Sequence, residues 1–322
     1  MTNFVTRRVL LAGAVVGIAS RIVPALAADD FSGVTLRVGD QVGQQQSKLR
    51  AAGLLDDVPY KIEWSVYPAA VNLHEALKAD AVDIGAANDS PTVTAIASGS
   101  RVQVVAAWDN GGAGTSLLVP RNSAAQSVGD LRGKTISPTT RGSVAHFLVV
   151  GALRQAGLRL DEVKLAFMNP VDAGAAFQSG AIDAWSTWGI YVARARGQLG
   201  ARVLSNGSGI NSGLFVFSAT PGALAEPAKR LAMADFFNRI ERSYAWSREQ
   251  KGKHIEWFKG FARQDESVAQ DLYQDDASYR RVAIDDAFAA RLRKTFETWT
   301  SIGILQGDID FRTRIVRDIP IG

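Results

Sequence analysis

The 322-residue sequence contains no cysteine, which excludes a disulfide framework, thiolate metal sites and a cysteine nucleophile together. It has three histidines, His74, His146 and His254, too far apart to offer a zinc spacing, so no metal or other cofactor is expected. No Gly-x-Ser-x-Gly segment occurs, and the strained turn that would expose a hydrolase serine is missing with it. Gly133-Lys134-Thr135 lacks the leading glycine of a phosphate-binding loop, Val128 standing in its place, and Pro138 prevents a helix from following directly. Gly112-Ala113-Gly114 has Leu117 where a dinucleotide fingerprint needs its third glycine. With 47% hydrophobic and 21% charged residues and no low-complexity tract, what remains is the composition of an ordinary globular chain, long enough for two lobes.

Charge of one sign is also scarce once the N-terminus is set aside. Arg7 and Arg8 precede an apolar run from Val9 to Ala19, and Ala25-Leu26-Ala27 offers a small-x-small cleavage site before Ala28. This pattern predicts a signal peptide over residues 1–27, and the arginine pair together with Arg21 points to the twin-arginine route. A membrane anchor needs about 20 apolar residues, and Arg21 and Pro24 interrupt the run before that length. Cleavage leaves 33 basic against 32 acidic residues, scattered rather than clustered, which predicts no nucleic-acid partner and no anionic-lipid surface.

From Val34 onward β-rich runs alternate with helical patterns, the signature of βαβ units and a mainly parallel sheet. Strands are predicted near 34–39, 61–67, 82–87, 101–107 and 115–119, and again near 134–137, 163–167, 182–185, 202–205 and 213–218. Helices are predicted near 43–53, 69–79, 90–98, 142–156, 171–179 and 189–198. Pro120 and Pro221 suggest crossovers between two lobes. One lobe is expected to comprise 28–119 with 220–322, including the C-terminal helices, and the other 120–219. Open α/β sheets bind ligands at the carboxyl ends of their strands, so the loops after strands are the places to search.

Four such loops stand out. Val38-Gly39-Asp40-Gln41-Val42-Gly43-Gln44 brackets Gln41 and Gln44 with glycines at the start of a helix. Asp83-Ile84-Gly85-Ala86-Ala87-Asn88-Asp89-Ser90-Pro91 delivers Asp89 and Ser90 to a helix with proline in its first turn, where Asp89 also suits a cap. Thr140-Arg141-Gly142-Ser143-Val144-Ala145-His146 follows a strand and opens a helix. Gly142 permits close backbone approach, and the free N–H groups of Ser143, Val144 and Ala145 form a ready oxyanion cradle. Gly180-Ala181-Ile182-Asp183-Ala184-Trp185-Ser186-Thr187-Trp188 places Trp188 at a strand-to-helix turn as a wall for an apolar tail, with Trp185 in the core. Asp172 is read as a helix cap. Most of the aromatics Trp246, Trp257, Phe258, Phe261 and Trp299 are read as core.

In order and spacing these segments resemble the aliphatic sulfonate, nitrate and taurine-binding family of ABC-transporter substrate-binding proteins. The departures are Asn88 for a glycine, Arg141 where lysine is frequent, and Gly189-Ile190 where Asp-Pro usually follows the second tryptophan. The resemblance implies an α/β, two-lobed type II periplasmic-binding-protein fold with a ligand cleft between the lobes. It implies a periplasmic, monomeric receptor that hands a small anionic organic solute, foremost an aliphatic sulfonate, to a membrane permease and its ATPase. The ligand-binding residues it suggests are Gln41, Gln44, Asp89, Ser90, Ser116, Thr140, Arg141, Gly142, Ser143 and Trp188, with Thr115 and Asn211 as lesser matches. Enzymes on related folds depend on cysteine, so no catalysis is expected. A cysteine-independent enzyme on the same fold and an exported sensory module are the alternatives that sequence leaves open.

Overall fold

The computed structural model describes Met1, Phe31 and residues 33–319; the expected signal peptide and its cleavage site lie outside the described residues. Phe31–Gly322 gather into one compact unit built on two sheets. The first contains β1 (Thr35–Gln41), β2 (Lys61–Tyr67), β3 (Ile84–Asn88), β4 (Gln103–Asp109), β10 (Leu214–Ala219) and β11 (Arg280–Val282), in the order β11-β4-β10-β3-β1-β2. The second contains β5 (Thr115–Val119), β6 (Thr135–Ser137), β7 (Lys164–Leu165), β8 (Ala184–Trp188) and β9 (Arg202–Asn206), in the order β7-β6-β8-β5-β9. The apolar run of β4 is buried along its centre, as a strand covered on both faces must be. By contrast β2, at the sheet edge, alternates exposed and half-buried positions.

Both sheets are mixed, where a mainly parallel sheet was expected. In the first, β1 runs parallel to β2 and β3, but β10 lies antiparallel between β3 and β4, and β11 is antiparallel to β4. In the second, β6 is parallel to β7 and β8, while β5 is antiparallel to β8 and β9. The chain therefore changes sheets between β4 and β5 and again between β9 and β10. Each change falls one strand before the expected boundaries at 119/120 and 219/220. Pro120 and Pro221 do end strands, but a strand end is visible locally and its choice of partner is not.

Helices α1 (Gln44–Ala51), α2 (Ala70–Lys78), α3 (Asp89–Ala97), α4 (Val144–Gln155), α5 (Pro170–Ser179) and α6 (Gly189–Leu199) follow strands or their loops. The C-terminal third is helical, with α7 (Pro221–Ala225), α8 (Pro227–Glu249), α9 (Lys251–Ala262), α10 (Glu266–Ala277) and α11 (Asp286–Ser301). Phe236, Phe237 and Tyr244 of α8 cover one face of the first sheet against Trp108 and Phe217. On its other face Phe296 and Trp299 of α11 pack with Leu73, Val93 and Val104. The C-terminal helices are expected with the first lobe; α9 and α10 touch both, Trp257 Nε1 donating to Ser47 Oγ on α1 and Asp276 pairing with Lys48. Phe258, Leu272 and Tyr273 share a core with Trp185 and Tyr191 of the second sheet and its helix. The cap of α5 is Asn169, whose Oδ1 accepts from Val171 and Asp172 N–H. Asp172 was read as that cap; it lies inside the helix and accepts instead from the Asn169 amide.

Candidate functional site

The loops leaving β1, β3 and β4 face those bordering β5, β6 and β8 across a cleft of about 1040 Å³. From the first sheet come Gln41, Asn88 and Asn110; from the second come Thr115, Val144 and Trp188. The carboxyl ends of the parallel strands thus open on one cavity, as open α/β sheets dictate.

Two helices begin at this cavity with donors unspent. At α4, the Val144 and Ala145 N–H groups make no hydrogen bond among the described residues, while the capping hydroxyl of Ser143 takes the N–H of His146. At α6, Gly189 N–H goes to the Gly114 carbonyl, and no side chain caps the Ile190 and Tyr191 N–H groups. Val144 and Ile190 both line the cavity. Two helix starts thus turn unbonded N–H groups and the positive ends of their dipoles on one space. The start of α1 is different. Asp40 reaches forward to accept from Gln45 and Gln46 N–H, at 3.1 and 2.9 Å. Burial pushes its carboxyl up to about 7 against the pull of these donors. This helix start already holds a carboxylate.

The opposite wall is acidic. Asp276 accepts from the Gln44 amide at 2.9 Å and pairs at 2.5 Å with Lys48, a lysine with no exposed surface. The Lys48 ammonium also lies 4.5 Å from the Tyr244 ring centre, and burial lowers its pKa. His254 lies 3.6 Å from the same carboxylate, and burial drives its pKa down to about 4, so it is neutral at pH 7. Neighbouring Asp275 lines the cleft and is pushed up to about 6, chiefly by burial, with Arg196 pulling it down and Asp276 pushing it up.

Of the residues singled out in the sequence, Gln41, Gln44 and Trp188 line the cleft, as do Thr115 and Asn211. Gln41 spends its amide N–H on the Ala86 carbonyl at 2.7 Å, and Trp188 stands edge-on to Tyr191. Ser116 is buried in β5 and, by the alternation of a strand, faces away from the side that Thr115 presents.

Thr140, Arg141 and Ser143 line a second, smaller cavity with His74, Lys78 and Thr94 rather than the cleft. Arg141 is exposed, its guanidinium 4.4 Å from the Phe167 ring centre, a stacking contact. Gly142, at φ +78°, does permit a close approach, but of α3: a Cβ there would meet the Thr94 side chain at 2.7 Å. Its N–H donates to His146 Nδ1. Of the expected cradle only Val144 lines the cleft.

Asp89 and Ser90 are likewise structural contacts. Asp89 is buried and accepts from Thr295 Oγ1 at 2.5 Å, and burial raises its pKa. Ser90 Oγ accepts from Trp299 Nε1 and donates to the Gly142 carbonyl.

Sequence reasoning missed the C-terminal contribution to the cleft. Tyr244, Phe258, Asp275, Asp276 and Tyr279 line it. Phe258 belongs to a group of aromatics read mostly as core, and it serves both the core and the cleft. A core aromatic and a cleft aromatic share one helical spacing, so periodicity alone offered no signal; the adjacent acids Asp275 and Asp276 at a helix end were the only local hint.

A family model described as "ABC transporter, phosphonate, periplasmic substrate-binding protein" matches residues 41–204. A protein of Escherichia coli (strain K12) carrying the name aliphatic sulfonates-binding protein is 36% identical over 214 residues, spanning 65% of this chain and 66% of the relative, just under two thirds of its length. The crystal structure of the periplasmic aliphatic sulphonate binding protein SsuA from Escherichia coli superposes with a TM-score of 0.74 at 27% identity, covering 88% of this chain and 92% of that one. The alkanesulfonate-binding protein SsuA from Xanthomonas axonopodis pv. citri, bound to MOPS, gives a TM-score of 0.78 at 24% identity over 88% and 98% of the chains, a likeness of fold.

Proposed function

This chain belongs to the periplasmic substrate-binding family of ABC transporters, and we propose that it captures a small organic sulfonate outside the cytoplasm for a membrane permease driven by an ATPase. It acts as a monomer, exported by its N-terminal segment with cleavage near Ala27/Ala28. The observation that carries the sulfonate assignment is the convergence of the α4 and α6 starts on one cavity, with Val144 and Ile190 both in its lining. A sulfonate has three oxygens and no donor, and backbone N–H groups at helix starts complement it without a basic side chain. Trp188 and Ile190 give its carbon tail an apolar wall.

The same reading gives two lobes, each on its own sheet, that close over the solute by a hinge at the two sheet changes. No step of chemistry is assigned to the ligand: the cleft contains no cysteine, and its acids are occupied with capping and ion pairing or, for Asp275, stand without a base beside them.

A thermal-shift series with butanesulfonate, butylphosphonate and butyrate tests this. A sulfonate at 100 times its dissociation constant stabilises by about 2.7 kcal/mol, and the other two compounds are expected to give much less. Preference for the phosphonate or the carboxylate, or no shift with any of them, overturns the sulfonate assignment.

A further inference from the structure

The basic side chains that the cleft lacks stand at the smaller cavity. No lysine or arginine lines the cleft among the described residues, whereas Lys78 and Arg141 both line a space of about 510 Å³, with Glu75 as the one acid in its lining. Three pieces of chain enclose that space, and direct contacts hold them together. His74 of α2 lies 3.2 Å from Thr92 Oγ1 of α3. Thr94, two residues further along α3, donates to the Gly142 carbonyl of the turn after β6 at 3.4 Å. Neither basic side chain is engaged by an acid: the Lys78 ammonium and the Arg141 guanidinium make no hydrogen bond or ion pair among the described residues, and Arg141 keeps only its contact with the Phe167 ring.

Two buried polar groups in the same lining are without partners. The single hydrogen of the Thr92 hydroxyl goes to the Asn88 carbonyl at 2.9 Å, so towards His74 that hydroxyl only accepts, and the imidazole carries its proton on Nε2. Nδ1 is left as a bare acceptor with no partner among the described residues, on a side chain only 4% exposed. Burial drives the pKa of His74 down to about 4, which keeps that nitrogen unprotonated at pH 7. Ser100, 2% exposed, has its hydroxyl unpaired in the same lining. A ligand that satisfies these groups gives an O–H to Nδ1 and offers negative oxygens to the two cations. A sulfonate, with no O–H, does not meet the first need. We propose that this cavity is a second ligand site, separate from the sulfonate cleft, for a phosphate that retains an O–H group, which it donates to His74 Nδ1 while its charged oxygens accept from Lys78 and Arg141. Sulfate has the same tetrahedral shape and at least the same charge, but it would set an oxygen lone pair against Nδ1 and leave it unsatisfied. The phosphate would also bridge the two halves of the fold, since α2 and α3 follow strands of the first sheet and Arg141 follows β6 of the second.

The experiment is calorimetric titration of the purified protein near pH 6, in a buffer free of other oxyanions, with inorganic phosphate and with sulfate, each without and with saturating butanesulfonate. Phosphate is expected to bind about tenfold or more tighter than sulfate, the size of one hydrogen bond lost at a buried acceptor, whether or not butanesulfonate is present. Lys78→Ala and Arg141→Ala, both at exposed positions, are expected to weaken phosphate about tenfold each while butanesulfonate affinity stays within about twofold. By NMR the His74 Nδ1 resonance is expected to move with phosphate and to stay in place with sulfate. Absence of phosphate binding, sulfate as tight as phosphate, a His74 resonance indifferent to phosphate, or phosphate affinity unchanged in both variants overturns the second site and leaves the sulfonate reading standing. Displacement of phosphate by butanesulfonate puts the phosphate in the cleft and overturns it as well. Failure of butanesulfonate to bind, with phosphate behaving as expected, overturns the sulfonate reading alone.

Discussion

The Ser90 hydroxyl donates to the Gly142 carbonyl oxygen at 2.9 Å, joining the helix after β3 of the first sheet to the turn after β6 of the second. Thr94, one turn further along α3, presses against the same glycine. Gly142 is thus fixed by a helix of its own protein. Replacing it with valine introduces both the clash with Thr94 and a left-handed conformation that a β-branched residue resists. Gly142→Val is expected to lose about 2 kcal/mol or more of stability. Adding Thr94→Ala should recover the clash but not the backbone strain, and thermal unfolding of the single and double variants measures both parts.

Arg141 lies over Phe167 outside the cleft. Arg141→Ala is therefore expected to leave sulfonate affinity within about twofold, since a charge at the surface acts only through screened, long-range terms. A calorimetric loss of tenfold would put the guanidinium on the ligand.

The first residue of α4 offers a direct test of the helix start. Ser143 before it has φ −71° and ψ 164°, a conformation that a following proline accepts, and proline is tolerated at the first helical position. Val144→Pro removes one cleft-facing N–H with little else. Affinity for butanesulfonate is expected to drop about tenfold, in line with a charge-assisted hydrogen bond, with circular dichroism unchanged; unaltered affinity would assign the oxyanion to α6 alone.

Lys48 and Asp276 form a buried pair in which each charge depends on the other. Lys48→Met strands the carboxylate and is expected to cost about 3–5 kcal/mol. Asp276→Asn in the same chain should restore much of that loss. Urea unfolding of the two single variants and the double variant closes the cycle, and additive effects would show that the pair is not coupled.

His146 packs between Phe167 and Trp299, and burial, with a smaller push from Arg141, holds its pKa down at about 4. The folded value lies below the ordinary 6.5, so as pH falls the unfolded chain takes the proton first. The contribution of His146 to stability is complete above pH 6.5, shrinks between 6.5 and about 4, and is level below that, a span worth roughly 3 kcal/mol. Its imidazole resonances should not titrate between pH 8 and 5 by NMR; a midpoint near 6.5 would show that the ring is open to water.

What could be read from the sequence was whatever neighbouring residues decide. The alternation of strands and helices, the glycine-bracketed loop holding Gln41 and Gln44 and the turn that brings Trp188 to the cleft all depend on a few consecutive residues, whose periodicity and turn chemistry act locally. What the tertiary structure alone decided are the pairings between distant segments. Whether β5 joins β8 and whether β10 inserts between β3 and β4 depend on partners far away in the chain. Gln44 meets Asp276 across 232 positions, and that contact makes one wall of the cleft acidic. The Thr140-Arg141-Gly142-Ser143 turn had the right local chemistry for an anion, yet α3 occupies the approach to it. No local pattern can report which neighbour arrives first, because the packing energy that chooses that neighbour is shared among side chains that only the folded chain brings together.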